Sequence, residues 1–321
     1  MRKHLATLAG TELHWVESGP ERERAPIVLL HGLNDSHRTW SRVAPLLAQG
    51  RRVLMPDLPG HGLSGRPDAP YDLAWYARVI SAWLDHLDVA DVDLVGHSFG
   101  GGVAQRVLFE RRERIRRLAL VASGGLGREV GLGVRLMSTP HLLEKLGQPL
   151  MAPATRLVLR AGHGAFTDDE IAWLSWANAM PGTARAAART VRGVVNFRGQ
   201  RQCFLDHAHE IDLPPLALYW GDRDRIVPLS HGLTTQARTE GVELTSFMGC
   251  GHFPHQENPE HFVRALKSFL ETPRARPARL RTAPRLAEAP VKTRPPSLVR
   301  RIVAFAIRFR IRPVRLFACA A

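Results

Sequence analysis

The chain has 321 residues, 45% of them hydrophobic, and carries a formal net charge of +14 at pH 7. That length exceeds one typical domain and calls for a large core with an insertion or appendage. The same reading argues against a disulfide framework or zinc site (three cysteines, Cys203, Cys250 and Cys319, without ligand spacing), against a signal peptide in residues 1–13, and against a spanning helix, since no apolar run reaches about 18 residues. The cytoplasm is the expected compartment.

Residues 5–18 read as two short strands around the Ala9-Gly10-Thr11 turn, with Leu13, Trp15 and Val16 facing inward. Residues 27–30 are a continuous apolar run of the buried parallel-strand type, ending in His31-Gly32-Leu33. A helical stretch is expected over 39–48 and a strand over 52–55, which runs into Asp57-Leu58-Pro59-Gly60-His61-Gly62-Leu63-Ser64. Residues 73–87 place Leu73, Tyr76, Ala77, Ile80, Leu84 and Leu87 at helical spacing. Strands then alternate with helices, which implies a parallel sheet covered on both faces.

Between Ser123 and Leu213 the alternation pauses. Residues 142–146, 168–179 and 184–195 read as helices, the second opened by a capping-box spacing at Thr167-Asp168-Asp169-Glu170. This stretch, 124–213, is expected to form an inserted helical lid. In it Phe166, Trp173, Trp176 and Phe197 read first as packing and second as pocket lining. Strands resume at 216–220 and 242–247, followed by a helix over 259–270. The core is thus expected over 1–123 and 214–271.

From Thr272 the composition turns to Arg, Pro and Ala, which cannot bury a core and predicts disorder over 272–321. That segment holds 13 Lys and Arg against one acid, Glu288, leaving 31 bases and 29 acids in the nearly neutral remainder. The charge therefore calls for no specific nucleic acid. Residues 298–311 set Leu298, Ile302, Phe305 and Phe309 beside Arg301 and Arg312, a stripe suited to peripheral contact with a membrane surface. The bland reading is a solvated tail.

The chemistry is organised around Gly96-His97-Ser98-Phe99-Gly100, where a strand turns sharply into a helix. A serine held in such a turn needs neighbours without Cβ, and the helix that follows aims its free N–H groups at a developing oxyanion. Serine also needs a base oriented by an acid. Two later loops offer both: Asp222 and Asp224 after the strand at 216–220, and His252 and His255 after the strand at 242–247. Asp222 and Asp224 fall on one face of an extended backbone, so alternation cannot choose between them. Either could simply cap the turn, and His61 reads as a loop brace.

These motifs resemble the α/β-hydrolase superfamily, specifically its lid-bearing serine hydrolases. The resemblance covers about residues 5–270 and rests on His31-Gly32, the Asp57–Ser64 motif, the Ser98 turn, Gly221-Asp222-Arg223-Asp224 and Gly251-His252-Phe253. It implies Ser98 as nucleophile, Asp224, at three residues past the glycine, as acid, and His252 as base. The backbone N–H groups of Leu33 and Phe99 would be the oxyanion donors. No cofactor or metal is implied. Serine, rather than the aspartate that related dehalogenases and epoxide hydrolases carry there, implies acyl transfer. The expected partner is a small or medium apolar ester. C–C hydrolysis, thioester cleavage, acyl transfer to another acceptor, or ligand binding without chemistry stay open as alternatives, and His97, where C–C hydrolases often have asparagine, leans toward esters.

Overall fold

The computed structural model describes residues 1–21, 24–138, 142–160, 166–272, 277–281 and 315–318. The strands are β1 (Arg2–Leu8), β2 (Thr11–Ser18), β3 (Ile27–Leu30), β4 (Val53–Pro56), β5 (Val92–His97), β6 (Ile115–Val121), β7 (Val195–Asn196), β8 (Gly199–Gln200), β9 (Leu216–Gly221), β10 (Thr239–Glu240), β11 (Glu243–Met248), β12 (Arg279–Leu280) and β13 (Arg315–Ala318). A single sheet runs in the order β1-β2-β4-β3-β5-β6-β9-β11-β13. Only β1 with β2, and β2 with β4, are antiparallel in it. Every strand from β4 onward along that order is parallel to its neighbour.

The flanking helices are α1 (Ala44–Leu47), α2 (Leu73–His86), α3 (Phe99–Glu110), α4 (Leu132–Met137), α5 (Leu142–Leu146), α6 (Gln148–Arg160), α7 (Asp168–Ala179), α8 (Thr183–Val194), α9 (Phe204–His207), α10 (Ser230–Arg238), α11 (Pro254–Glu257) and α12 (Pro259–Glu271). The period-two alternation of the strands explains why both faces are covered. Val28, Leu30, Leu94 and Leu118 point to a core shared with α2 and α3. Ile27, Leu29, Val95 and Ala119 point the other way, to a core shared with α1 and α12. Each such fully buried side chain contributes roughly 1.5–3 kcal/mol of burial free energy. The fold is thus α/β, with a mostly parallel, doubly wound sheet.

Residues 124–213 lie between β6 and β9 and contain α4 to α9 with the short β7–β8 hairpin. The capping box is present, with Thr167 and Glu170 bonding each other's backbone N–H. Phe166 is buried, but Trp176 and Phe197 are exposed, contrary to the packing role expected of them. Two parts of the basic segment 272–321 are strand rather than irregular tail. β12 pairs with β10, and β13 pairs in parallel with β11. The apolar stripe over 298–311 lies outside the described residues. Cys203 is a free thiol, whereas Cys250 is buried and disulfide-bonded, against the expectation drawn from the cysteine count. Among the described residues no helix is long and apolar enough to cross a membrane.

Candidate active site

Four loops converge at the carboxyl ends of the parallel strands β3, β5, β9 and β11, the place where ligand chemistry gathers in open α/β sheets. Ser98 sits between β5 and α3 with φ +52° and ψ −118°, a conformation that L-residues rarely adopt. The neighbouring glycines explain how the turn is tolerated. A Cβ on Gly96 would come within 2.5 Å of the Gly100 carbonyl oxygen, and one on Gly100 would run into the His31 and Leu30 carbonyls. The turn can therefore form only with hydrogen at both positions.

Ser98 Oγ lies 2.9 Å from His252 Nε2, and His252 Nδ1 lies 2.7 Å from Asp224 Oδ2. The Asp224 side chain is fully buried, and its Oδ1 accepts from the N–H groups of Ile226 and Val227 at 2.8 and 2.9 Å. Those two bonds set the carboxylate's second oxygen toward the imidazole. Asp222 is turned elsewhere, accepting from Gly249 N–H at 2.7 Å. The structure thus joins Ser98, His252 and Asp224 in one hydrogen-bonded chain and leaves Asp222 as a turn brace.

Leu33 and Phe99 both line the cavity beside Ser98. As the first residue of α3, Phe99 has an N–H without an intrahelical acceptor. The Leu33 loop is pressed against the elbow, since a Cβ on Gly32 would stand 3.3 Å from Ser98 Cβ. Behind the site is a layer of buried histidines. His97 donates from Nε2 to the His252 carbonyl (2.9 Å), and His255 Nε2 is 3.0 Å from Thr39 Oγ1. His31 Nε2 accepts from Leu58 N–H, and His61 bonds Pro59 O within its own turn. Burial pushes His31 down to about 4, and His61 and His255 down to about 3. His97 is lowered as well, by burial first and then by its histidine neighbours.

Two carboxyls near the site were given no role by the sequence reading, Asp35 and Asp57, the latter quoted only as the head of its motif. Asp35, two residues past Leu33, lines the same cavity, and burial raises it to about 7. Asp57 is held well below its usual range: burial alone would raise it, but hydrogen bonds from His14 and His37 overcome that penalty. Possible ligand atoms of His14, His37 and Asp57 lie within 4.8 Å of one another, close enough for a metal ion. Each Asp57 oxygen, however, already accepts two N–H bonds, from His37 N and Nδ1 on one and from His14 Nδ1 and Leu63 N on the other. The cluster is therefore a hydrogen-bonded clamp. Only residues brought together from positions 14, 37 and 57 reveal it, so no local motif could have.

Residues 27–266 match the model of the "Alpha/beta hydrolase family". The chain belongs to that family. An uncharacterized protein of Mycobacterium tuberculosis is 34% identical over 261 residues, 77% of this chain and 75% of that one. A 2-hydroxymuconate semialdehyde hydrolase of Pseudomonas putida is 32% identical over 281 residues, 84% of this chain and 93% of that one. Among solved structures, an alpha/beta hydrolase fold protein from Burkholderia ambifaria superposes with a TM-score of 0.68 at 26% identity, covering 83% of this chain and all of that one.

Proposed function

We propose that this protein is a serine hydrolase that cleaves a small or medium apolar ester through an acyl-enzyme on Ser98. The observation that carries the reading is the unbroken chain from Ser98 Oγ through His252 to the buried Asp224 carboxylate. Ser98 Oγ attacks the ester carbonyl while His252 Nε2 takes its proton. The carbonyl oxygen becomes an oxyanion held by the N–H groups of Leu33 and Phe99. His252 returns the proton to the departing alcohol oxygen, then activates a water that releases the acid and regenerates Ser98. Asp224 keeps the imidazole in the Nδ1–H tautomer and stabilises the imidazolium. Residues 124–213 act as a lid, because Met151, Phe166 and Val191 from that segment line the cavity that contains Ser98.

The cavity wall favours an uncharged substrate. Among the described residues lining it, Arg106 is the one guanidinium, and it is ion-paired with Glu110 at 2.8 Å. Hydrolytic C–C cleavage is the second reading, favoured by the relative named for 2-hydroxymuconate semialdehyde. An anionic substrate of that kind would find no unpaired guanidinium among the described residues of the wall.

Labelling with a fluorophosphonate and mapping the adduct tests the nucleophile. The expected result is modification of Ser98 in the wild type, none in Ser98→Ala, and loss of ester turnover by several orders of magnitude in that variant. Wild-type turnover in folded Ser98→Ala would overturn the mechanism.

A further inference from the structure

The cavity, about 800 Å³, does not stop at Ser98. Beside His252 the lining includes Phe166 and Phe253, which define one arm. The other follows α3, where Phe99, Gly102, Arg106 and Phe109 recur at helical spacing along one stripe of the lining. Leu73 of α2 stands opposite Gly102, the Phe204 ring centroid lies 5.6 Å from that of Phe109, and Cys203 and Ile211 also line the cavity.

The three consecutive glycines of α3 are not equivalent. A Cβ on Gly101 would collide with the Ser123 side chain, and one on Gly100 with backbone carbonyls, so packing requires both. A Cβ on Gly102 would meet only Leu73 Cδ2, at 3.7 Å, an ordinary contact. Glycine is a poor helix residue, and nothing in the packing demands it at 102. What its missing side chain does is keep the floor of the second arm open. Gln105 does not refill the space, because its amide turns back to Ser123 Oγ and Gly124 O at 2.9 and 2.8 Å. Polar pairs stand at the Phe109 end of the lining: Arg106 with Glu110, and His207, hydrogen-bonded to Glu210, with its ring centroid 6.5 Å from that of Phe109.

We infer that this arm takes the acyl half of the substrate, an unbranched apolar chain of roughly ten carbons laid along α3 from Phe99 to Phe109. The inference rests on the proposed role of Ser98 and names the substrate class for it. The orientation follows from the chemistry. His252 must protonate the leaving oxygen, so the alcohol lies on the imidazole's side. There Phe253 packs edge-on against His252, with ring centroids 5.2 Å apart, and against Phe166 at 4.9 Å. The acyl group is left the opposite arm. At 1.5 Å rise per residue, α3 spans about 15 Å between Phe99 and Phe109. An extended chain advances about 1.2 Å per bond, by comparison with a peptide backbone, so roughly a dozen bonds reach these polar pairs.

The test is kcat/KM on p-nitrophenyl acetate, butyrate, decanoate and palmitate. A buried methylene is worth up to roughly fourfold in binding, so the wild type is expected to favour decanoate over acetate by about 100-fold or more, with no further gain at palmitate. Gly102→Leu is expected to cut the decanoate-to-acetate ratio at least about tenfold. Should that variant fail to fold by circular dichroism, Cys203→Trp, also in the lining, decides by the same ratio. A wild-type profile that is flat or falls with chain length overturns the inference, as does an unchanged ratio in the folded variants. Fluorophosphonate labelling of Ser98 separates this failure from failure of the nucleophile: labelling with a flat profile sinks only the acyl channel, whereas no labelling and no ester turnover sinks the hydrolase reading itself.

Discussion

His97 Nε2 donates to the backbone carbonyl of His252 across 2.9 Å, so the residue before the proposed nucleophile is tied to the residue proposed as its base. The bond joins the end of β5 to the loop after β11, which meet only in the folded chain. Its donor is the neutral imidazole, consistent with the burial that lowers His97. His97→Phe keeps an aromatic ring there and deletes the bond. Because small misplacements of a catalytic group are costly, kcat on p-nitrophenyl butyrate is expected to fall on the order of 10- to 100-fold with KM little changed. A raised KM at unchanged kcat would mean that His97 shapes binding and does not position His252.

Asp224 and Asp222 separate by their donors. Asp224 holds His252, whereas Asp222 holds Gly249. Asp224→Asn is expected to lower kcat by roughly three to four orders of magnitude, by analogy with other buried acids that orient an imidazole. Asp222→Asn should cost less than about tenfold, since it touches only a turn. Steady-state kinetics on both variants under identical conditions decide the assignment, and a severe loss at Asp222 alone would reverse it.

Stability should fall steeply on the acid side. His31, His61 and His255 have folded values of about 4, 3 and 3, below the ordinary 6.5. Between pH 6.5 and that range the unfolded chain binds protons that the fold does not, so stability is lost as pH falls through the window. Asp35 runs the other way: at about 7 instead of 3.8, it holds a proton in the fold that the unfolded chain has released. Its contribution is present below pH 3.8 and is lost as pH rises to about 7. Each group changes stability by up to about 1.4 kcal/mol per pH unit inside its window, so the histidines outweigh the one acid. The urea midpoint is expected to drop from pH 7 to pH 4. Asp35→Asn, with the opposing contribution gone, should widen the gap between pH 7 and pH 5. A midpoint independent of pH across that range would show that these histidines accept protons in the fold.

The Asp57 clamp can be weighed by deleting its acceptor. Asp57→Ala leaves four N–H donors, from His14, His37 (two) and Leu63, without their partner. With buried unsatisfied donors costing roughly 1–3 kcal/mol each, partly relieved by relaxation, the loss should be at least about 3 kcal/mol in urea unfolding. Leu58, next in the chain, bonds His31 at the head of the Leu33 loop, so turnover should fall too. A cost below about 1 kcal/mol would mean that solvent replaces the carboxylate.

The sequence by itself determined the layers of this protein. Short apolar runs such as Ile27–Leu30 specify buried strands, helical periodicity specifies Leu73–His86, and glycines flanking Ser98 specify a strand-to-helix turn, because each signal is local and repeats along the backbone. Of the helices after Ser123, α5, α7, α8 and α12 were equally legible, down to the capping box at Thr167, whereas α4, α6, α9, α10 and α11 carry no such local signal and were not read. What joins distant segments was not. Alternation put Asp222 and Asp224 on one face, and only the turn that offers Ile226 and Val227 N–H to Asp224 aims that residue at His252. The bond from His97 to His252, the Asp57 clamp and the open floor at Gly102 depend on which loops and helices come to rest beside one another. A side chain's period along its own element says which way it points. Which partner it meets there is decided by the packing of elements far apart in the chain.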